Sequence, residues 1–206
     1  MNNLSTEYHY NSSAPTWSNQ YLWDPLEKIV LSEKLSDHRI FEVGCGNGAT
    51  ADMLSKHGFS ITAIDPSKSG IKVAKSSYKH INFKEGSAYD DLAGRYGTFP
   101  IVVSLEVVEH CFWPRKYAKT VYDLLQPKGV AIISTPYHGY IKNLALALVG
   151  KFDSHWSPLW DGGHIKFWSL TTLRLLLEET GFSSVKFIRV GRIAALAKAM
   201  IAVARK

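Results

Sequence analysis

Acidic and histidine side chains that could carry chemistry lie close together at Glu106, Glu109 and His110. Residues three and four positions apart share one face of a helical turn, so we expect both carboxylates and the imidazole to converge. His164 adds a second imidazole from a glycine-flanked loop. Such a set suits Mg²⁺, Mn²⁺, Fe²⁺ or Zn²⁺ and does not select one of them. The alternative is that no metal binds and His110 acts as a general base.

Three glycines at alternate positions, Gly44, Gly46 and Gly48, follow an apolar stretch that begins at Ile40. Glycine accepts backbone angles closed to other residues and lets the main chain approach a ligand closely. A second apolar stretch ends at Asp65, 17 positions after Gly48. A strand, glycine loop, helix, strand and acid suit the adenosine of a dinucleotide or of S-adenosylmethionine, because the ribose hydroxyls need an acceptor. An ordinary glycine turn without a ligand is the simpler alternative.

The segment from Glu42 to Gly48, an acid followed by glycines at alternate positions, resembles the first motif of the class I S-adenosylmethionine-dependent methyltransferases. A dinucleotide fingerprint leaves Glu42 and Gly48 unexplained. In the methyltransferase family the acid before the first glycine lies near the amino-acid end of the cofactor. The resemblance implies that S-adenosylmethionine contacts a set of residues at the strand ends: Glu42, Gly44, Cys45, Gly46, Gly48, Asp65, Pro66, Ser87, Ala88 and Leu105.

The acidic and histidine residues resemble those of two methyltransferase subfamilies. These are the ubiquinone-biosynthesis O-methyltransferases of the type 11/12 group, which act on a catechol ring, and the small-RNA 3′-terminal 2′-O-methyltransferases, which act on a vicinal diol. Both substrates present two adjacent oxygens, and a metal that chelates them lowers the pKa of the attacking hydroxyl. The resemblance implies methyl transfer to an oxygen of a small aromatic or lipid-like acceptor, with His110 and Glu109 as catalytic residues and Glu106, Glu109, His110 and His164 as metal ligands. An RNA 3′ end as acceptor, or a non-catalytic cofactor-binding or membrane-associated protein, are the alternatives.

The order of strand and helix patterns predicts an α/β fold with a doubly wound, mostly parallel sheet. A first helix is expected from Tyr21 to Leu35, with Asp24 as its N-cap. Residues 192–205 fit either a basic amphipathic helix or a strand. The resemblance implies seven strands with an antiparallel last strand, which favours a strand there.

Length and composition predict one globular domain. The chain has 206 residues, of which 46% are hydrophobic and 20% are charged. We expect a flexible segment at 1–20, which could fold over the cofactor, and a methyltransferase domain at 21–206. Without a secretion-type start or an apolar run of ~20 residues, and with two cysteines near the expected site, a reducing and cytoplasmic location is expected. The net charge of +6 comes from dispersed cations, with no basic run typical of RNA-binding tails.

An apolar and aromatic insertion is expected at about 137–168. It contains an apolar stretch between Lys142 and Lys151, followed by Trp156 and Trp160. Such a helix can lie at a membrane interface, making 137–160 a peripheral membrane contact. It can also form a lid over an apolar acceptor, or a buried helix that packs on the sheet. The sequence does not choose among these three.

Overall fold

The computed structural model describes residues 8–156, 158–160 and 162–206, which include seven strands. They are β1 (Arg39–Val43), β2 (Ser60–Asp65), β3 (Asn82–Glu85), β4 (Phe99–Leu105), β5 (Leu125–Pro136), β6 (Ser184–Val190) and β7 (Ala199–Arg205). The strands form one sheet in the order β3-β2-β1-β4-β5-β7-β6. The first five pair in parallel, and β7 runs antiparallel between β5 and β6. The predicted sheet is therefore confirmed, and the stretch at 192–205 ends as a strand.

Helices cover both faces of the sheet. They are α1 (Asn19–Ser32), α2 (Ala49–Ser55), α3 (Lys68–Ser77), α4 (Leu92–Tyr96), α5 (Pro114–Asp123), α6 (Tyr140–Leu148), α7 (Phe152–His155) and α8 (Leu170–Thr180), with 3₁₀ turns at Val108–His110 and Ala194–Leu196. Leu22 of α1 and Ile71 of α3 belong to one apolar core, whereas Tyr117 of α5 and Leu173 of α8 belong to another. Because β4 lies between the two cores, its residues from Phe99 to Ser104 are all buried.

The first helix begins earlier than the sequence suggests. We expected it at 21–35 with Asp24 as N-cap, but α1 starts at Asn19 and holds Pro25 in its interior. The Asn19 amide donates to Thr50 Oγ1 of α2 at 3.1 Å, and Trp23 Nε1 donates to the same oxygen at 3.1 Å. These contacts with α2 fix the start of the helix despite the N–H that Pro25 lacks.

The insertion after β5 forms α6 and α7. None of the residues of α6 is buried, and Tyr140 and Leu148 are each 79% exposed. The interpretation of this segment as a buried helix on the sheet is therefore wrong. Within the described part of the chain, no helix combines the length and the hydropathy needed to cross a membrane.

Candidate active site

The glycine loop turns sharply at the carboxyl end of β1. Gly44, Gly46 and Gly48 have φ angles of 81°, 52° and 82°, in the left-handed region that residues with a Cβ rarely adopt. The N–H groups of Gly44 and Cys45 donate to the carbonyl oxygen of Ile64 at 2.8 and 2.9 Å, which ties the loop to the end of β2. The loop is thus a fixed part of the sheet edge.

Two carboxylates lie at this edge, Glu42 near the end of β1 and Asp65 at the end of β2. The Asp65 oxygens accept from the N–H groups of Gly46 at 2.7 Å and Ser67 at 2.8 Å, so this side chain is held firmly in place. Glu42 is 2% exposed, and its Oε2 has no hydrogen-bond partner among the described residues. Burial, reinforced by the charge of Asp65, raises the pKa of Glu42 to about 8. A buried, unpartnered acceptor of this kind suits a cationic ligand group.

The other residues expected to hold the cofactor lie along the same edge of the sheet. Pro66 follows β2 and is exposed, and Cys45 is buried beneath the loop. Ser87 and Ala88 follow β3 in a half-buried loop, and Leu105 is the half-buried last residue of β4. Since β3, β2, β1 and β4 are adjacent and parallel, their carboxyl ends meet here. The structure therefore brings this whole set to one edge.

An N-terminal strap, residues 8–14, crosses the glycine loop. Asn47 Nδ2 donates to the carbonyl oxygens of Ser12 at 2.9 Å and Ala14 at 2.8 Å, and Ser67 Oγ donates to that of Tyr8 at 2.7 Å. The side chain of Tyr10 lies against Gly46, where an added Cβ would come within 2.5 Å of its hydroxyl. Burial, followed by the charge of Asp65, raises the pKa of Tyr10.

Sequence analysis missed Tyr10 of the strap and Asn47, the loop residue that holds the strap. Trp17, in the same N-terminal segment, is 68% exposed, and its ring centre lies 4.8 Å from Lys198 Nζ. Asn47 stands between two of the loop glycines, and that position is the one signal that could have drawn attention to it.

The expectation that Glu106 shares a helical face with Glu109 and His110 is wrong. The turn at Val108–His110 is 3₁₀, and Glu106 precedes it with a left-handed φ of 55°. This backbone is held by Ser134 of β5, whose hydroxyl also donates to Glu106 Oε1 at 2.7 Å. Burial raises the pKa of Glu106 to about 7, although the Ser134 hydrogen bond opposes the shift. Its role as a metal ligand remains a prediction.

The remaining three residues of the predicted cluster do come together. Ligand atoms of Glu109, His110 and His164 all lie within 4.8 Å of one another. Glu109 is 1% exposed, and neither of its carboxylate oxygens has a hydrogen-bond partner among the described residues. Burial, followed by the nearby Glu106, raises the pKa of Glu109. Burial, followed by His110, lowers the pKa of His164 to about 4, so its imidazole is neutral at pH 7.

Main-chain contacts fix both histidines. The Glu109 carbonyl oxygen accepts from the N–H groups of Ile165 and Lys166, each at 3.0 Å, which holds the His164 loop against the 3₁₀ turn. His110 Nδ1 lies 2.9 Å from the carbonyl oxygen of Gly162. Since a carbonyl can only accept, Nδ1 is the donor, and in the neutral imidazole Nε2 then has a lone pair. His110 can therefore bind a metal or accept a proton through Nε2.

Comparison with known families identifies the family of the chain. A family model described as a methyltransferase domain matches residues 18–186. The chain belongs to this methyltransferase-domain family. The match covers the glycine loop and the histidine group, whereas the strap at 8–14 precedes it.

Curated relatives of this methyltransferase domain carry a more specific name. A ubiquinone biosynthesis O-methyltransferase from Caulobacter sp. (strain K31) is 34% identical over 58% of this chain and 49% of the relative. One from Azorhizobium caulinodans is 30% identical over 70% of this chain and 58% of the relative. The chain thus spans about half the length of the curated relatives it matches. A solved S-adenosylmethionine-dependent methyltransferase from Mesorhizobium loti shares the fold, with a TM-score of 0.66 and 16% identity over 88% of this chain and 96% of that one.

A cavity of about 770 Å³ in the methyltransferase domain borders the histidine group. Its walls include Trp156, Trp160 and Phe167, and it is also lined by Glu106 and His164. The Trp160 ring lies 5.6 Å from the ring of His110 and 5.6 Å from that of His164. An aromatic ring bound between these walls would therefore lie next to the polar group.

Three basic residues also line the cavity, and sequence analysis assigned none of them to the site. One signal was present, because Lys142 shares the i, i+3, i+4 and i+7 face of α6 with the lining residues Ala145, Leu146 and Val149. No such pattern marks Arg192 or Lys198, which come from the connection between β6 and β7.

Proposed function

We propose that this protein transfers a methyl group from S-adenosylmethionine to a hydroxyl of a small aromatic acceptor of the catechol type. The observation that carries this proposal is that His164 belongs both to the group with Glu109 and His110 and to the wall of the aromatic cavity. The names of the curated relatives support an oxygen of a quinone precursor as the methyl acceptor.

The strand ends fit S-adenosylmethionine, which supplies an electrophilic methyl group on a sulfonium. Glu42 would accept a hydrogen bond from the ammonium at the amino-acid end of the cofactor. This bond would give Glu42 Oε2 the partner that it lacks among the described residues. Asp65, which the N–H groups of Gly46 and Ser67 hold in place, would accept from the ribose hydroxyls. The glycine loop lets the main chain approach the cofactor. The strap at 8–14 would then act as the lid over this cofactor.

The group of three residues fits a divalent metal. Glu109 would supply a carboxylate oxygen, and His110 and His164 would supply neutral imidazole nitrogens. A metal held there would lower the pKa of a coordinated acceptor hydroxyl. If no metal binds, His110 Nε2 is the atom that accepts the proton of the hydroxyl. In both versions the aromatic walls orient the acceptor ring.

The test is methyl transfer from labelled S-adenosylmethionine to catechol and to phenol, with Mn²⁺ or with a chelator. We expect catechol to be labelled, phenol not to be labelled, and the chelator to abolish the reaction. The variant His164→Ala should lose activity with Mn²⁺ and keep its affinity for the cofactor. His155→Ala, which removes another histidine of the cavity wall, should keep its response to Mn²⁺.

Other outcomes would change the assignment. Chelator-resistant labelling of catechol would assign proton removal to His110 without a metal. Labelling of short RNA 3′ ends in preference to catechols would replace the proposed acceptor. Cofactor binding without transfer to any hydroxyl compound would favour a non-catalytic role.

We also propose that the outer face of α6 contacts a lipid surface, which would suit an acceptor with a lipid tail. Ile141, Leu144 and Leu148 are 56%, 43% and 79% exposed. The described residues of the chain therefore leave this apolar face largely uncovered. Leu148→Ser should reduce co-sedimentation with phospholipid vesicles. Leu31→Ser, at an exposed leucine of α1, is the matched control and should not. Equal behaviour of both variants would argue against the contact.

A further inference from the structure

The cavity beside the histidine group has a positively charged lining. Lys142 on α6 and Arg192 and Lys198 between β6 and β7 all contribute to its wall. Within the described part of the chain, none of the three forms an ion pair with a carboxylate. Among the described lining residues Glu106 is the one carboxylate, and its Oε1 already accepts from Ser134. One carboxylate does not balance three cations.

Lys142 and Arg192 line the same cavity, and their like charges repel. Lys142 Nζ donates to the carbonyl oxygen of Tyr137 at 2.9 Å, which fixes the ammonium at the cavity wall. Burial, followed by the charge of Arg192, lowers the pKa of Lys142. An anion bound between the two cations would relieve this repulsion, because each cation would then face an opposite charge.

Lys198 is also fixed. Its ammonium lies 4.8 Å from the ring centre of Trp17 and 5.1 Å from that of Tyr21. Aromatic faces stabilise a cation without neutralising it, so this charge stays available to a ligand. Arg192 adds a planar set of donors that matches a carboxylate.

We propose that Lys142, Arg192 and Lys198 form an anion subsite in the acceptor cavity, and that the acceptor is a catechol whose ring carries a carboxylate. This inference rests on the proposed function, which supplies the catechol, and adds the charged substituent that distinguishes the acceptor. Trp156 and Phe167 cover the apolar part of such a ring. The same subsite disfavours a neutral ring, which would leave the three cations unpaired.

The test compares 3,4-dihydroxybenzoate with 3,4-dihydroxybenzamide, a neutral molecule of nearly the same shape. Binding is measured by calorimetry, and kcat/KM is measured for methyl transfer. The wild-type protein should bind the benzoate about ten- to a hundredfold more tightly than the benzamide. Arg192→Gln should remove most of this difference by weakening benzoate binding alone. Arg115→Gln, at an arginine of α5 whose side chain is 79% exposed and lies outside the cavity wall, is the matched control and should keep the difference.

The outcomes separate the subsite from the proposed function. Equal binding of the two compounds by the wild-type protein would overturn the anion subsite, even if both were methylated. An equal loss of both ligands in Arg192→Gln would also overturn it, because that pattern indicates a disturbed cavity. Selective benzoate binding without methyl transfer to either compound would uphold the subsite and overturn the catechol acceptor. Selective labelling of RNA ends, with no benzoate binding, would overturn both.

Discussion

Glu42 offers a quantitative test of the cofactor site, because its carboxyl is buried without a partner. Folding raises its pKa from 4.5 to about 8. Between these two values the folded chain holds a proton that the unfolded chain has lost, so the free energy of unfolding falls as pH rises. At about 1.4 kcal/mol per pH unit, this one group should destabilise the cofactor-free chain by roughly 2 kcal/mol between pH 6 and pH 8.

The substitution Glu42→Gln removes this titration and keeps the shape of the side chain. Urea unfolding of the cofactor-free protein should therefore show a loss of stability from pH 6 to pH 8 that is roughly 2 kcal/mol smaller in the variant than in the wild type. Parallel stability profiles for the two proteins would refute the argument that Glu42 is held neutral by burial.

Cofactor binding should release the proton that Glu42 holds in the cofactor-free protein. A ligand ammonium favours the charged carboxylate, so S-adenosylmethionine binding at pH 7 should release a proton from Glu42, and wild-type affinity should rise between pH 6 and pH 8. Calorimetry in two buffers of different ionisation enthalpy measures that proton. The Glu42→Gln variant should bind at least about tenfold more weakly and release one proton fewer. The difference between the proteins isolates Glu42, since the ligand's own amino group titrates in both. Unchanged affinity in the variant would refute the assignment of Glu42 to the ammonium.

Substitutions at three further residues test other parts of the structure. Tyr10→Ala should weaken S-adenosylmethionine binding, measured by calorimetry, because it opens the strap over Gly46. Tyr10→Phe shows how much of the effect comes from the hydroxyl. Equal affinity of Tyr10→Ala and the wild type would show that the strap is not part of the cofactor site. Gly48→Ala should destabilise the chain by about 1–3 kcal/mol in urea unfolding, because φ is 82° and a Cβ would come within 2.9 Å of both Phe83 and Ala74. Tyr117→Phe should leave stability unchanged or raise it by about 1 kcal/mol, because the buried Tyr117 hydroxyl has no partner among the described residues; a clear loss would reveal a partner.

The sequence predicted the half of the site that is built from local patterns. Gly44, Gly46 and Gly48 need left-handed backbone angles, and glycine is the residue type that signals such angles. Asp65 ends an apolar strand, so the parallel pairing of β1 and β2 alone brings it to the glycine loop. Periodicity and turn preferences depend on a few neighbouring residues, so they can be recognised from the sequence alone.

The parts that were missed depend on contacts between distant segments. Glu106 was expected on a helical face, but its backbone is set by Ser134, 28 residues away. The strap has no periodicity that would predict its position. Asn47 and Ser67 hold it in place by donating to its carbonyl oxygens. Arg192 reaches the cavity because β7 turns back beside β5, which no local spacing shows.

The topology also explains why the residues proposed to bind the cofactor and those proposed to bind the acceptor come from different parts of the chain. Glu42 and Asp65 come from β1 and β2, whereas Glu109 and His110 follow β4, on the other side of the point where the strand order reverses. His164 and the aromatic walls come from the insertion after β5, and Arg192 comes from the connection between β6 and β7. The cofactor side is therefore built from short connections that the sheet fixes. Apart from Glu109 and His110, the proposed acceptor side is built from the longest connection and the last one. Changes in these two connections can therefore alter the acceptor without disturbing the glycine loop.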